Sequence, residues 1–400
     1  MATPTMEHTL RSDVRQRAEA VLPTLAAHAT RIDAEALFPV ESLDCLRSSG
    51  LMGLLVPVEH GGLGGGIPDL IEVAGLLASR CLSTAMIWAM HCQQVDAVVQ
   101  FAGPQLRAEL LPRIAGGEVY LGSITSERTK GGHLFTSASP LEPAGDDFLL
   151  DRDAPIVTGG AYADGFLTTM LAAPDAPPTE VTLVYADRSQ MAIDQRGTWN
   201  PLGMRGTHSV GLHLRGQVPG TQVVGEPGGF RHVAANSLVP LAHLGWSACW
   251  LGTAKGALRE LLALRAPHRP RGLDPKSELV AARVARVRME LEVVSTYLTR
   301  VCQEVMERRA NSRDLDEPAT QIHLNTLKVI ASESCFRAID GIVEIAGLAQ
   351  GYRRDAAVPF ERYFRDLRSA SLNYANDRLL VATGVLSMLD RSVRLSGEQT

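Results

Sequence analysis

A chain of 400 residues with 45% hydrophobic content can bury two or three substantial cores, which excludes intrinsic disorder. Its 39 basic and 44 acidic side chains leave a formal charge of -5, so no global positive field exists to attract nucleic acid or an anionic membrane surface. The six cysteines are scattered without a C-x-x-C pair, which points to free core thiols in a reducing compartment and away from a zinc or disulfide framework.

No basic patch followed by an apolar run opens the chain, and no eighteen-residue uncharged apolar span has the look of a membrane helix, so the cytoplasm is the expected compartment. Residues 7–49 read as helix: Val14, Ala18, Val21, Leu22 and Leu25 recur on one face, Pro39 suits a helix start and Gly50 a helix end. The glycines of residues 61–66 form a loop whose spacing does not match a dinucleotide fingerprint. Two helices between residues 69 and 100, divided near residues 80–83, and a short one over 106–114 complete an all-helical domain, residues 1–115.

At residue 116 the composition changes. The runs "VYLGSITSE", "DFLLDRDAPIVTGG", "GFLTTMLAAP", "EVTLVYADRS" and "VGLHLRG" are separated by Gly, Pro, Asp and Asn, which predicts roughly five to eight short strands. With no helices between them they make an antiparallel barrel or sandwich over residues 116–226. Residues 227–400 are helical again and predict a four-helix unit of a kind that assembles with copies of itself, as a dimer or tetramer.

Near the end, Leu327, Ile330, Ala331, Ser334, Ala338 and Ile342 recur at helical spacing. The period then breaks at Gly347, Gly351 and Pro359 before a charged run of Glu361, Arg362, Arg365, Asp366 and Arg368. Glycines followed by cations at a helix junction suit a polyanionic cofactor, because backbone can approach closely and Arg pairs with phosphate oxygens. A helix turn with a solvated basic face is the plainer alternative.

This order of helix, glycine-containing loop and "PFERYFRD" resembles the C-terminal flavin-binding region of the acyl-CoA dehydrogenase superfamily, and the helical, β, helical sequence of domains extends the resemblance over nearly the full chain. The resemblance implies an α+β fold: an N-terminal helical domain, a central antiparallel β-barrel or sandwich and a C-terminal four-helix bundle. FAD would be held between the last two domains and an adjacent subunit. Ile124, Thr125 and Ser126 match the stretch that sets backbone groups and a hydroxyl on the isoalloxazine edge. Ile156 falls on the aromatic position that covers the ring, and Thr158 on the hydroxyl directed at flavin N5. Glu344 stands near the family's diphosphate-contacting Gln, followed by Gly347 and Gly351, with Arg269, Arg271, Arg353 and Arg354 as compensating cations. Arg128 and Lys130 replace small and acidic residues of the family, and together with Arg205 they favour a polar or anionic substrate.

The resemblance also exposes a gap. The family's usual catalytic Glu falls on or beside Asn373 and Tyr374, and the earlier helix that supplies a base in other members, here residues 234–244, contains no carboxylate. Asp377 or His243 would then serve as base. Alternatively, flavin arrives reduced from a reductase and reacts with oxygen, as in the two-component monooxygenases of this fold, or redox chemistry has been lost and a flavin-binding scaffold remains. The leading expectation is a flavin-dependent oxidoreductase acting on an acyl thioester or related small molecule. Its cofactor is FAD, with FMN or reductase-supplied flavin as the alternative, and its partners are itself and a flavin reductase or electron-transfer protein, with no nucleic acid, membrane or metal.

Overall fold

The computed structural model describes residues 4–128, 133–265, 268, 270, 273–274 and 276–398, with side-chain surroundings from residue 11 onward. Five helices come first: α1 (Pro4–Glu35), α2 (Val40–Ser48), α3 (Ile67–Ala78), α4 (Leu82–Phe101) and α5 (Pro104–Ala115). Val14, Ala18, Val21, Leu25, Ala29 and Ile32 form the buried stripe of α1, each large aliphatic side chain contributing about 1.5–3 kcal/mol by its removal from water. Helix α4 is buried on nearly every face, its polar Ser83, Thr84, His91, Gln93, Gln94 and Asp96 included.

Eight strands follow among the described residues, in two sheets of order β1–β4–β5–β8 and β2–β3–β7–β6. They are β1 (Leu121–Ile124), β2 (Glu142–Ala144), β3 (Asp147–Val157), β4 (Gly165–Leu171), β5 (Val181–Asp187), β6 (Met191–Arg196), β7 (Val210–Pro219) and β8 (Val223–Val224). Leu141, Leu150, Met170, Val184, Ala186 and Val218 form a small core of their own within this domain. One pairing departs from the antiparallel expectation: β1 runs parallel to β4, with Leu121 opposite Gly165. The intervening chain crosses to the other sheet through β2 and β3 and returns, so both strands enter from the same end.

Helices resume with α6 (Phe230–Val233), a π-helical turn at Ala234–Leu238, and then α7 (Val239–Ala263), α8 (Glu278–Ala310), α9 (Pro318–Gly347), α10 (Phe360–Arg368) and α11 (Asn376–Leu389). The final helix is one more than the spacing predicts, because a turn over residues 369–375 divides the segment after Pro359. That turn contains no Gly or Pro; Tyr374 itself takes the left-handed conformation, φ 51°. Among the described residues, no helix is long and apolar enough to cross a membrane.

The charged run on α10 joins the domains. Arg365 donates to both carboxylate oxygens of Asp33 on α1, at 2.9 and 2.6 Å, and also to Glu361 and the Leu202 carbonyl. Asp366 accepts from the Met204 backbone at 2.6 Å. Arg205 donates to the carbonyls of Asp33 (2.6 Å) and Ala34 (3.4 Å). Gly203 permits this approach: a Cβ there would stand 2.0 Å from the Arg365 carbonyl oxygen. The expectation that this run offers free cations to cofactor phosphates is thereby corrected for Arg365, whose guanidinium is buried against carboxylates of the chain itself.

Candidate active site

The rim of the β domain is shaped by an irregularity in β3. Its pairing with β7 shifts register between Ala154 and Val157, a bulge of the type that re-aims side chains beside functional sites. Ile156 is turned out to 54% exposure, and its carbonyl accepts from the Ser126 hydroxyl at 3.0 Å. Beside it, Ile124 is fully buried at the end of β1 while Thr125 and Ser126 are half-buried. Two residues outside the expected set brace this segment. Arg152, fully buried, pairs with Glu127 at 3.0 Å and donates to the Ser126 carbonyl at 3.1 Å. The signal was present in the sequence, since Arg152 shares inward parity on β3 with Leu150 and Ala154, and an inward Arg requires a buried acid.

His91 of α4 fixes the other end of β1. Its Nε2–H donates to the Met52 carbonyl (2.9 Å), and its Nδ1 accepts from the Leu121 backbone (3.0 Å). The pairing demands a neutral ring, and burial lowers the pKa to about 4.

Thr158, half-buried, follows the bulge. Ser209 lies 3.3 Å from its hydroxyl and 2.9 Å from that of Thr207. The backbone beneath is held by Tyr120, whose hydroxyl donates to the Thr158 carbonyl (3.0 Å), and by Gly159, whose amide donates to the Thr207 carbonyl (2.8 Å). His208 stands between the two hydroxyl residues at φ 42°, its ring edge-on to Tyr162 at 5.5 Å; Tyr162 in turn stacks on Phe38 at 4.2 Å. Burial lowers the His208 pKa, and its Nδ1 is buried without a hydrogen-bond partner among the described residues. An exposed apolar side chain, a half-buried hydroxyl and an orphaned ring nitrogen on one rim fit a flat heteroaromatic ligand that is largely neutral and carries donors and acceptors along its edge.

Across the junction, the expected bases do not converge. His243 is buried in α7, with Nδ1–H donating to the Leu324 carbonyl at 3.1 Å. Burial first, and then the nearby Lys328 charge, push its pKa down to about 3, so it is a neutral core group. Asp377 is exposed on the first turn of α11. Asn373 and Tyr374 are half-buried in the turn before it, and burial raises the Tyr374 pKa. The group that organises this turn was not anticipated: Lys328 of α9, fully buried. Its Nζ donates to the Tyr374 carbonyl (2.9 Å) and to Asn376 Oδ1 (2.8 Å) and lies 5.7 Å from the Trp250 ring centroid. Burial lowers its pKa to about 7. Nothing in the local pattern distinguished this lysine from the fringe of an amphipathic stripe.

The remaining expected residues are dispersed. Glu344 is exposed near the end of α9, and Gly347 there has φ 70°. Gly351 is glycine for an internal reason, since a Cβ would lie 2.5 Å from the Val343 carbonyl oxygen. Arg353 is bonded to Asp355 at 2.8 Å. Arg269, Arg271 and Lys130 lie outside the described residues. Arg128 is exposed and reaches Asp153 at 3.3 Å, whereas Arg205 directs its donors to Asp33, Ala34, Asn200 and Pro201, which makes it a joint between domains. In α4, sequence reading passed over Gln94, 1% exposed with both amide atoms unpartnered among the described residues. The packed helix α7 presents Trp246, Ser247 and Trp250 with the same deficit. Buried polar groups of this kind are costly unless a small molecule or water meets them.

Comparison with known proteins identifies the family of the fold. Residues 5–118 match the model of the acyl-CoA dehydrogenase N-terminal domain, and residues 244–377 that of the acyl-CoA dehydrogenase C-terminal domain. The chain is 24% identical over 361 residues to "Probable acyl-CoA dehydrogenase FadE25" of Mycobacterium tuberculosis, covering 90% of this chain and 89% of that protein. It is likewise 24% identical over 347 residues to dibenzothiophene monooxygenase of Rhodococcus qingshengii, covering 82% of each. Among solved structures, FMN-bound TdsC of Paenibacillus sp. A11-2 superposes with a TM-score of 0.84 at 22% identity, covering 96% of this chain and 99% of that one. Butyryl-CoA dehydrogenase of Megasphaera elsdenii superposes with a TM-score of 0.82 at 18% identity, covering 97% and 99%.

Proposed function

The chain belongs to the acyl-CoA dehydrogenase superfamily, a fold of flavin-dependent oxidoreductases, and from that premise we propose that it is the oxygenase component of a two-component flavin-dependent monooxygenase. It takes up reduced flavin from a separate reductase and oxygenates a small, largely uncharged substrate. One observation carries this reading over dehydrogenation of an acyl thioester. Where a dehydrogenase needs a carboxylate base, this protein has the Asn373–Tyr374 turn bound to a buried lysine, a core-locked neutral His243 and an outward Asp377. A monooxygenase does not abstract a proton beside a thioester and needs no such base. The likeness to dibenzothiophene monooxygenase and to TdsC supports the same choice.

When bound, reduced flavin supplies two electrons to O2, of which one oxygen atom enters the substrate and the other leaves as water. The chain's own groups would bind and orient it: Ile156, Thr158 and the rim of residues 124–126 would hold the ring. FMN suits the site better than FAD, because the position expected to meet a second phosphate carries the exposed Glu344 and the neighbouring Arg353 is already neutralised by Asp355. Exposed Leu380, Val381, Met388 and Leu389 on α11, with Leu348 and Tyr352 after α9, support self-association that would complete the cofactor site.

The test combines the purified protein with a flavin reductase, NADH, FMN and labelled O2, using indole and dibenzothiophene as probes. Incorporation of one labelled oxygen atom per product, with tighter binding of reduced than of oxidised FMN, is the expected result. Anaerobic bleaching of bound oxidised flavin by an acyl-CoA would instead restore the dehydrogenase, and no flavin binding in either redox state would leave a scaffold.

A further inference from the structure

Resting on the flavin reading above, we infer that Thr207, Ser209 and Thr158 form a reversible hydroxyl relay, which lets Thr158 donate to an oxidised flavin and accept from a reduced one. Four oxygens stand in series. The Met204 carbonyl is 2.9 Å from the Thr207 hydroxyl, which is 2.9 Å from that of Ser209, which is 3.3 Å from that of Thr158. Each hydroxyl carries one proton, so the series is satisfied only when all three point the same way. In the inward order, Thr158 donates to Ser209, Ser209 to Thr207, and Thr207 to the Met204 carbonyl. In the outward order, Thr207 donates to Ser209, Ser209 to Thr158, and the Thr158 proton faces the ligand. Any mixed order sets two lone pairs or two protons against each other in one contact.

The outward order leaves nothing unsatisfied at the far end. The Met204 carbonyl still accepts from the Thr207 amide at 3.1 Å and from the Trp199 indole N–H at 3.2 Å. Both orders are therefore closed: the structure holds the Ser209–Thr158 contact in the outward sense, with Ser209 donating, and the inward order adds a small turn of the Thr158 side chain to the rotations about the C–O bonds. Thr207 and Ser209 are 4% and 6% exposed, so bulk water does not substitute for a missing member. The chemistry of the ligand selects the order. Flavin N5 is a bare acceptor when oxidised and bears a proton when reduced, so the two redox states require opposite roles of one hydroxyl. A lone threonine offers the second role only by leaving its own proton without a partner once the ligand covers it; Ser209 supplies that partner.

Anaerobic titrations with oxidised and with chemically reduced FMN test this, the readout being the ratio of the two dissociation constants. Ser209→Ala should weaken reduced FMN roughly three- to tenfold relative to oxidised FMN, the worth of one unmade hydrogen bond. Thr207→Val, nearly isosteric, should move the ratio in the same direction by less, and it serves if Ser209→Ala does not fold. Ser209→Thr, which keeps the hydroxyl, should restore the ratio. An unchanged ratio in Ser209→Ala and Thr207→Val, or an equal loss for both redox states, overturns the relay. Wild-type protein that binds neither form overturns the relay and the flavin reading together. Flavin bleaching by an acyl-CoA overturns the monooxygenase alone and leaves the ratio test in force.

Discussion

The lock at α10 and the rim beside β3 use polar groups in opposite ways. At α10, Arg365 is set against Asp33 and Glu361, all three largely sequestered from solvent, and the contact ties together segments far apart in the chain. At the rim, the hydrogen bonds linking Thr207, Ser209 and Thr158 join neutral groups, and the last of them is half-open. Charge at α10 holds the frame, and small uncharged side chains line the rim proposed to meet the cofactor. The lesson is physical: a buried ion pair is rigid and intolerant of rearrangement, whereas a hydroxyl changes role by rotating.

The widest separation between the two regions should come from Arg365→Ala, which leaves the Asp33 and Glu361 carboxylates buried without their guanidinium. A loss of about 3–5 kcal/mol is expected, read by urea denaturation. Retained stability with altered flavin affinity would break the contrast by returning Arg365 to the cofactor. Next comes Lys328→Met, a charge buried like those of the lock but without a directly bonded carboxylate. It should cost about 1–3 kcal/mol through the unpaired Tyr374 carbonyl and Asn376 side chain, with a distinctive pH dependence. The folded pKa of about 7 lies below the ordinary 10.5, so between these values the unfolded chain binds more protons and wild-type stability rises with pH. Below pH 7 the cost of the buried charge is fully present. The deficit of Lys328→Met should therefore grow between pH 7 and 10, and parallel curves in denaturation at pH 6 and pH 9 would remove Lys328 as a buried, destabilised cation.

At the rim, Thr158→Val should change the reduction or reoxidation rate of bound flavin roughly three- to tenfold while the melting curve stays close to wild type; stopped-flow absorbance reads the first and calorimetry the second. The smallest effect belongs to Arg128→Ala. Its partner Asp153 is partly exposed and Arg128 itself mostly so, so stability should move by less than about 0.5 kcal/mol and turnover of an uncharged probe should hold. A selective loss of turnover on anionic substrates would reinstate Arg128 as a recognition group and blur the division.

What the sequence made legible was whatever is encoded locally. The stripe on α1, the helix start at Pro39, the split between α3 and α4 and the change of composition at residue 116 are all short-range signals, and the elements stand where they indicate. Long-range pairings were opaque. Arg365 meets a carboxylate 332 positions away, and no spacing rule links them. Lys328 looked like one polar residue on a helix, since its partners become visible only when the turn before α11 folds back on it. That turn escaped because Tyr374, a residue without turn propensity, supplies its left-handed step. At the rim, Thr158 and Ile156 were singled out through resemblance, while the hydroxyl contacts of Ser209 with Thr207 and Thr158 were not legible, because they depend on two loops meeting.

The bulge in β3 leaves Ile156 answerable to neither sheet. Its side chain points outward and its carbonyl is held by Ser126, so the fold asks little of the residue's identity. A library at this one codon is therefore a direct way to vary the face proposed for the cofactor, since a new side chain reaches solvent before it disturbs the architecture.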